Sequence, residues 1–265
     1  FTLLILLIYR IGSAIPVPYV DTNTLGNYLD GMGTTILGLY DVMSGGAFAM
    51  ATVFALGIQP YINSSIIIQL LTVAIPALER MARDGGEEGK RKIQSITRYA
   101  TVAIALLQAL GYYWIMSSNN ILTNTSVWAA LVIIVSFVAG SSFLMWLGEQ
   151  CNEFGVGNGI SMILFAGIIS RIPSMVSRIS SGITSGTLFW PWVILIVVGI
   201  LLLVVLIVFV SDAERRIPVQ YAKRQVGRKM YGGQSSNLPM KVNMSGVLPV
   251  IFAQSIASIP ATIGA

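Results

Sequence analysis

SGGAFAMATVFALGIQPYINSSIIIQLLTVAIPAL, residues Ser44–Leu78, is long enough to cross a bilayer, yet it is not written for lipid on every side. Gly57 and Pro60 interrupt it, and Gln59, Asn63, Ser64, Ser65 and Gln69 bring amides and hydroxyls into its middle. In hydrocarbon an unpaired polar group is costly, and backbone groups freed by a mid-span proline need partners that lipid does not offer. Ile58, Ile62, Ile66, Ile67 and Ile68 alternate with the polar positions. The stretch reads as the wall of an interior space, with apolar rings and polar patches at different depths.

The rest of the chain sets that wall in a membrane. Apolar residues make up 55% and charged residues 10%, against about 25% charged in soluble domains. Several runs reach the roughly 20 apolar residues that a membrane helix needs. The expected class is an all-α polytopic membrane protein. Cys151 is the single cysteine and there is no histidine, which excludes a disulfide framework and a His-based metal or catalytic site. No cofactor is expected. The chain begins inside an apolar run at Phe1 and ends just after another, so a fragment is expected, and its start does not resemble a cleavable signal.

In order, Phe1–Val17 reads as a first span with Arg10 inside it and Pro16 and Pro18 at its end. Residues 19–33 are polar, and Thr34–Met43 is an apolar segment too short to cross. The second span follows from Ser44. Residues 79–98 read as a charged loop, Tyr99–Met116 as the third span and Trp128–Leu147 as the fourth. GEQCNEFGVGNG reads as a Gly-rich loop, Ile160–Ile172 as the fifth span and Arg171–Gly186 as a Ser/Gly loop. Phe189–Val210 is the sixth and most apolar span, residues 211–243 the largest loop, and a seventh span starts at Met244.

Positive charge fixes an expected orientation. With the first span running outward, loops 79–98 and 211–243 face inward and hold six and seven Lys/Arg, while the outer loops hold only Arg171 and Arg178. That bias follows the positive-inside rule. Trp114, Trp128, Trp146, Trp190 and Trp192 all fall near expected span ends, where aromatic belts belong.

Candidate chemistry is sparse. GGEEGKRK, Gly85–Lys92, superficially suggests a phosphate loop, but three residues rather than four separate Gly85 from Gly89, and Arg91 follows Lys90. Glu87 and Glu88 lie among Lys and Arg, and Glu149 and Glu153 sit at a span end, which suits capping or interfacial pairing. Arg10, as an intramembrane charge, is either functional or an interfacial anchor. GVGNGIS, Gly155–Ser161, is a tight turn and cap into the fifth span. The loop from Ser211 alternates Ile217, Val219 and Tyr221 with polar partners, turns at Gly232-Gly233 and returns through SSNLPMKVNM. It reads as a protruding two-stranded ribbon, with Arg215, Arg216, Lys223, Arg224, Arg228 and Lys229 available to an anionic partner: RNA, acidic protein or anionic lipid.

RIGSAIPVP (10–18), SGGA (44–47), FALGIQPYINSSIIIQLL (54–71), TRYAT (97–101), FLMWLGEQ (143–150), GVGNGIS (155–161), RRIPVQYAKRQ (215–225) and LPMKVNMSGVLPVIFA (238–253) together resemble the family of bacterial SecY-type protein-translocation channels. The resemblance covers the first seven of that family's ten spans, leaving spans 8–10 absent. It implies an inverted-repeat helical channel with a re-entrant plug helix and a cytosolic β-ribbon. Residues 1–173 would be the N-terminal half and 174–265 the start of the C-terminal half. A waist ring of apolar side chains would fall on Ile58, Ile62, Ile160, Leu164 and Ile251. The plug, about 34–46, would include Thr35, Ile36, Leu37, Leu39, Tyr40, Val42 and Met43, with a hinge at Ser44, Gly45 and Gly46. A lateral gate between the second and third spans and the seventh would be lined by Asn63, Ser64, Gln69, Gln254 and Ser255.

The resemblance further implies a passive channel in the bacterial cytoplasmic membrane, with the N-terminus and loop 211–243 cytosolic. It would carry unfolded secretory polypeptides bearing signal sequences and release membrane helices sideways. SecE and SecG would be membrane partners. The basic loops would dock the SecA motor or the translating ribosome. A secondary transporter also uses broken helices at inverted repeats, but ion coupling asks for intramembrane acids or histidines, and the expected spans offer only Arg10. A membrane-embedded enzyme would need a nucleophile–base pair or metal ligands. With no nucleotide motif, energy would come from a partner.

Overall fold

A computed structural model describes residues 1–31, 36–186, 189–219, 224–226, 229–231, 236–241 and 253. The described residues up to Val176 form one compact unit and those from Ser177 to Lys241 belong to another.

In the first unit, α1 (Thr2–Gly12) is an apolar helix of 11 residues. At 1.5 Å per residue it is only about 16 Å long, shorter than the expected span Phe1–Val17. It ends there because the chain turns at residues 13–14 and the next residues, around Pro16, bridge to the segment around Thr52: Val17 N–H donates to the Ala51 carbonyl at 2.9 Å and Val53 N–H to the Ile15 carbonyl at 3.0 Å. The polar stretch that follows carries α2 (Thr22–Gly31), and the short apolar segment forms α3 (Ile36–Met43).

The stretch from Ser44 is not one helix. Residues 44–58 run through successive turns, and α4 (Gln59–Ala74) starts only where Pro60 supplies a first-turn residue with no N–H to satisfy. Pro76 then breaks the helix, and α5 (Pro76–Arg83) leaves at a bend of 100°. The charged loop expected at 79–98 is itself helical: α5 covers its start, and α6 (Gly86–Ser118) runs 33 residues without interruption. Charge there marks solvent exposure, not irregular backbone. Glu87 and Glu88 lie in the first turn of α6, where the helix dipole favours acids.

The same correction applies at the next boundary. α7 (Val127–Phe154) carries GEQCNEF on its last turns, so the Gly-rich loop begins only at Gly155. α8 (Gly159–Ile169) and α9 (Ile172–Thr184) together make an apolar run of 26 residues. The Ser/Gly loop expected from Arg171 is therefore largely helix. Ile172, Met175, Val176, Ile179 and Ile183 recur at helical spacing, and Pro173 falls in the first turn, where it is tolerated. Among the described residues, four stretches are long and apolar enough to cross a membrane, or five with the bent α4–α5 pair. The seventh expected span, from Met244, lies outside the described residues apart from Ala253.

Two apolar clusters hold the first unit together. One gathers Val17, Leu25, Phe48 and Ala51 against Tyr112 and Met116 of α6 and Ile133 and Phe137 of α7. Phe48 stacks on Tyr112 at 4.3 Å between centroids, and the Tyr112 hydroxyl donates to the Phe48 carbonyl at 2.5 Å, so the irregular segment is tied to α6 by side chain and backbone together. The other cluster joins Ile5 and Tyr9 of α1 to α4, α7 and α8.

In the second unit, α10 (Trp190–Asp212) is apolar on all faces and has no buried residue. A ribbon follows. β1 (Glu214–Val219) pairs antiparallel with β4 (Ser236–Lys241), from Glu214 opposite Lys241 to Val219 opposite Ser236. Nested within it, β2 (Arg224–Val226) pairs with β3 (Lys229–Tyr231). Their register runs from Arg224 opposite Tyr231 to Val226 opposite Lys229. The turn expected at Gly232-Gly233 lies outside the described residues.

Candidate functional site

The expected waist is built where α4, α7 and α8 meet. Asn158 starts α8: its Oδ1 accepts from the N–H groups of Ile160 at 3.0 Å and Ser161 at 3.2 Å. Asn152, on the last turn of α7, accepts from the Gly159 N–H at 2.7 Å. The GVGNGIS turn is thus pinned to α7, and Ile160 and Leu164 lie four residues apart on one helical face. Ile58 holds the N-cap position of α4, with Ile62 one turn on. Gly148 of α7 lies beneath both elements. A Cβ placed there would be 3.4 Å from Ile58 Cδ1 and 3.5 Å from Ile160 Cγ1. Ile58 and Ile62 are buried in the cluster that includes Leu144, Leu147 and Ile163, and Ile160 and Leu164 are half-buried against it. The structure thus brings four of the five expected ring residues together; Ile251 lies outside the described residues. Gly148 is a positioning residue that sequence reasoning passed over, although it stands in FLMWLGEQ.

The expected plug helix, α3, ends in a hydrogen-bonded left-handed turn. Gly46 N–H donates to the Asp41 carbonyl at 2.9 Å and Gly45 N–H to the Val42 carbonyl at 3.1 Å. Gly45 and Gly46 have φ of 69° and 93°, a region that glycine enters without steric cost. Around this turn the chain is held from several sides. The Tyr9 hydroxyl of α1 donates to the Ser44 carbonyl at 3.0 Å, and Gln59 Nε2 of α4 reaches Met43 Sδ at 2.9 Å. Ser44 Oγ accepts from Phe48 N–H at 3.0 Å, and Asp41 Oδ1 accepts from Ala49 N–H at 2.8 Å. Beyond the end of α8, Arg171 forms an ion pair with Asp41 and also donates to its carbonyl at 3.3 Å. The sequence placed Arg171 among outer-loop charges and gave Asp41 no partner. The one signal was an acid inside an otherwise apolar segment. Val42 is exposed, Met43 half-buried and Ser44 buried. Thr35 lies outside the described residues, as do the side chains of Ile36, Leu37, Leu39 and Tyr40, whose backbone is in α3.

Of the expected gate residues, Asn63 and Ser64 are buried and Gln69 is exposed on α4. Ser64 donates to the Thr97 carbonyl of α6 at 2.7 Å, joining the second and third spans. Gln254 and Ser255 lie outside the described residues. In the ribbon, Arg215 and Arg216 are exposed on β1, Arg224 stands opposite Tyr231, and Lys229 stands opposite Val226. Lys223 and Arg228 lie outside the described residues. Glu149, expected to cap or pair at a span end, does pair: its carboxylate receives Arg98 Nε at 3.0 Å, Arg98 Nη2 at 2.9 Å and Gln94 Nε2 at 3.2 Å.

The family model described as SecY matches residues 52–265. The chain belongs to the SecY family. The protein translocase subunit SecY of Aquifex aeolicus is 42% identical over 99% of this chain and 63% of its own length, so the chain spans somewhat under two thirds of that relative. Among solved structures, a protein-conducting channel superposes with a TM-score of 0.67 at 18% identity, over 99% of this chain and 56% of that one. A SecY whose plug domain stabilises the closed state and maintains a membrane seal superposes at 0.65 and 19% identity, over 99% of this chain and 56% of that one. At such identities the superpositions establish the SecY fold alone. They agree with the helical channel architecture read from the motifs.

Proposed function

We propose that this chain forms the N-terminal half, residues 1–173, and the start of the C-terminal half, residues 174–265, of a protein-conducting channel in the bacterial cytoplasmic membrane. The observation that carries the reading is the junction at the start of α4. There Ile58, Ile62, Ile160 and Leu164 share one apolar cluster, and Gln59 beside them holds the end of the plug helix. A narrow aliphatic ring passes any side chain without hydrogen bonds that would retain it, and it dewets when empty, which raises a barrier to ions. Ile251 completes the ring on this side. The substrates are unfolded secretory polypeptides with signal sequences. Membrane helices leave sideways past Asn63, Ser64, Gln69, Gln254 and Ser255.

SecE and SecG are the membrane partners. The ribbon residues Arg215, Arg216, Lys223, Arg224, Arg228 and Lys229 face the cytosol and dock the SecA motor or the ribosome, with anionic lipid nearby. Transport energy comes from those partners, and the channel itself catalyses no reaction. The test is crosslinking of a stalled secretory chain to single cysteines in the full-length protein, with Cys151 replaced by Ala. Cysteines at Ile62 and Leu164 are expected to capture the chain, and one at the exposed Val73 is not. Equal capture at all three, or capture only at Val73, overturns the assignment.

A further inference from the structure

We propose that the Asp41–Arg171 ion pair is the latch of the plug, the contact whose breakage releases α3 from the end of α8; this rests on the channel reading above. Around the turn after α3, most of the hydrogen bonds are neutral: Tyr9 to the Ser44 carbonyl, Ser170 Oγ to the Gly45 carbonyl at 3.4 Å, Gln59 to Met43. Among the described residues around this turn, Arg171 is the one that brings a full charge to a full charge, and it does so where little water reaches. The Arg171 and Asp41 side chains are 25% and 12% exposed. Removing one partner of such a pair leaves the other desolvated and uncompensated, so the pair dominates its neighbours.

The carboxylate does more than receive Arg171. Its Oδ1 holds the Ala49 N–H at 2.8 Å, so one side chain joins the plug end, the Gly45-Gly46 turn, the segment leading to the waist and α8. A packed contact supports it: Gly167 of α8 is so close that a Cβ would sit 2.9 Å from the Met43 carbonyl. The latch is also built to release. Among the described residues, Arg171 Nε is buried without a hydrogen-bond partner. A buried unsatisfied donor raises the energy of the latched state, and swinging the guanidinium into water relieves it. Closure is therefore held by a strong pair that is not fully satisfied, which suits a plug that must leave and return.

The test uses the full-length channel with its partner subunits in proteoliposomes, with Cys151→Ala and Ser44→Cys. Ser44 is buried beneath the turn, so the rate of its labelling by a thiol reagent reads displacement of the plug without any transport. Asp41→Asn keeps an Oδ1 acceptor for Ala49 and removes only the charge, so the turn survives. Asp41→Asn and Arg171→Gln are each expected to speed labelling about tenfold. Arg171→Lys is expected to remain within about threefold of the parent, and the double variant to be no faster than the faster single, because both remove one interaction. Labelling unchanged in Asp41→Asn, or single effects that multiply in the double variant, overturns the latch. Idle ion leak is read in parallel. Faster labelling without leak, in a protein that also imports no signal-bearing chain, upholds the latch and overturns the channel reading instead.

Discussion

Gly140, in the middle of α7, shows how finely the membrane unit is fitted at the level of one atom. A Cβ there would overlap the Val53 carbonyl oxygen, which belongs to the backbone of the irregular segment before α4. Backbone cannot step aside as the tip of a long side chain can, and close approach through small residues is how membrane helices pack without a hydrophobic drive between them. Gly140→Ala is therefore expected to destabilise the protein by about 1–3 kcal/mol, read as a lower thermal midpoint in detergent. Gly199 on α10 is the control. Nothing lies within 4 Å of a Cβ there, and Gly199→Ala is expected to be neutral or to stabilise by up to about 1 kcal/mol through helix propensity. Equal effects at the two positions would remove the packing argument.

Between elements, α6 and α7 are fastened at one end by Arg98 and Glu149, with Gln94 completing the carboxylate's partners. Glu149→Gln is expected to cost about 1–3 kcal/mol, toward the lower end because the Arg98 side chain is 48% exposed. Combining it with Arg98→Gln is expected to recover part of the loss, since no charge is then left alone. Calorimetry of the two singles and the double measures it; strictly additive losses would mean the pair does not couple the helices. At this scale the sequence was read well wherever hydropathy decides. α10 is apolar without interruption, so its bounds were legible within about two residues. Charge misled elsewhere. ERMARDGGEEGKRK was read as loop because it is solvated, although Ala, Glu, Arg and Lys are good helix formers. The Ser and Gly content of α9 hid its apolar spacing in the same way. The packing of the expected ring residues was half legible: polar and apolar alternation suggested a wall along α4, but that Ile58 and Ile160 meet over Gly148 needed the tertiary arrangement. The Arg171–Asp41 pair joins positions 130 residues apart and carried no local signal beyond an acid in an apolar segment.

For the whole molecule, the decisive question is whether the shared cluster of Ile58, Ile62, Ile160 and Leu164 is packing or a seal. A channel for unfolded chains must pass every side chain and yet stay closed to ions when idle. Aliphatic side chains on facing helices satisfy both demands, because they dewet when empty and give way to a passing chain without holding it. The same residues as ordinary core would instead contribute stability through burial, roughly 1.5–3 kcal/mol for each fully buried side chain. The two roles separate under one substitution. In the full-length protein, replacing Ile62, Ile160 and Ile251 together by Asn puts amides at the waist from the three elements expected to surround it. A seal would become wet: idle ion conductance in planar bilayers is expected to rise at least tenfold, and signal-defective precursors to be exported more readily, because the closed state loses apolar contacts that the open state lacks. A packing core would lose abundance and gain no conductance, since an unfolded chain is cleared before it conducts. The measurement pairs single-channel recording with the amount of inserted protein. High abundance with wild-type ion tightness would refute the seal, because amides that neither wet the waist nor unfold the protein cannot lie where water and ions are excluded.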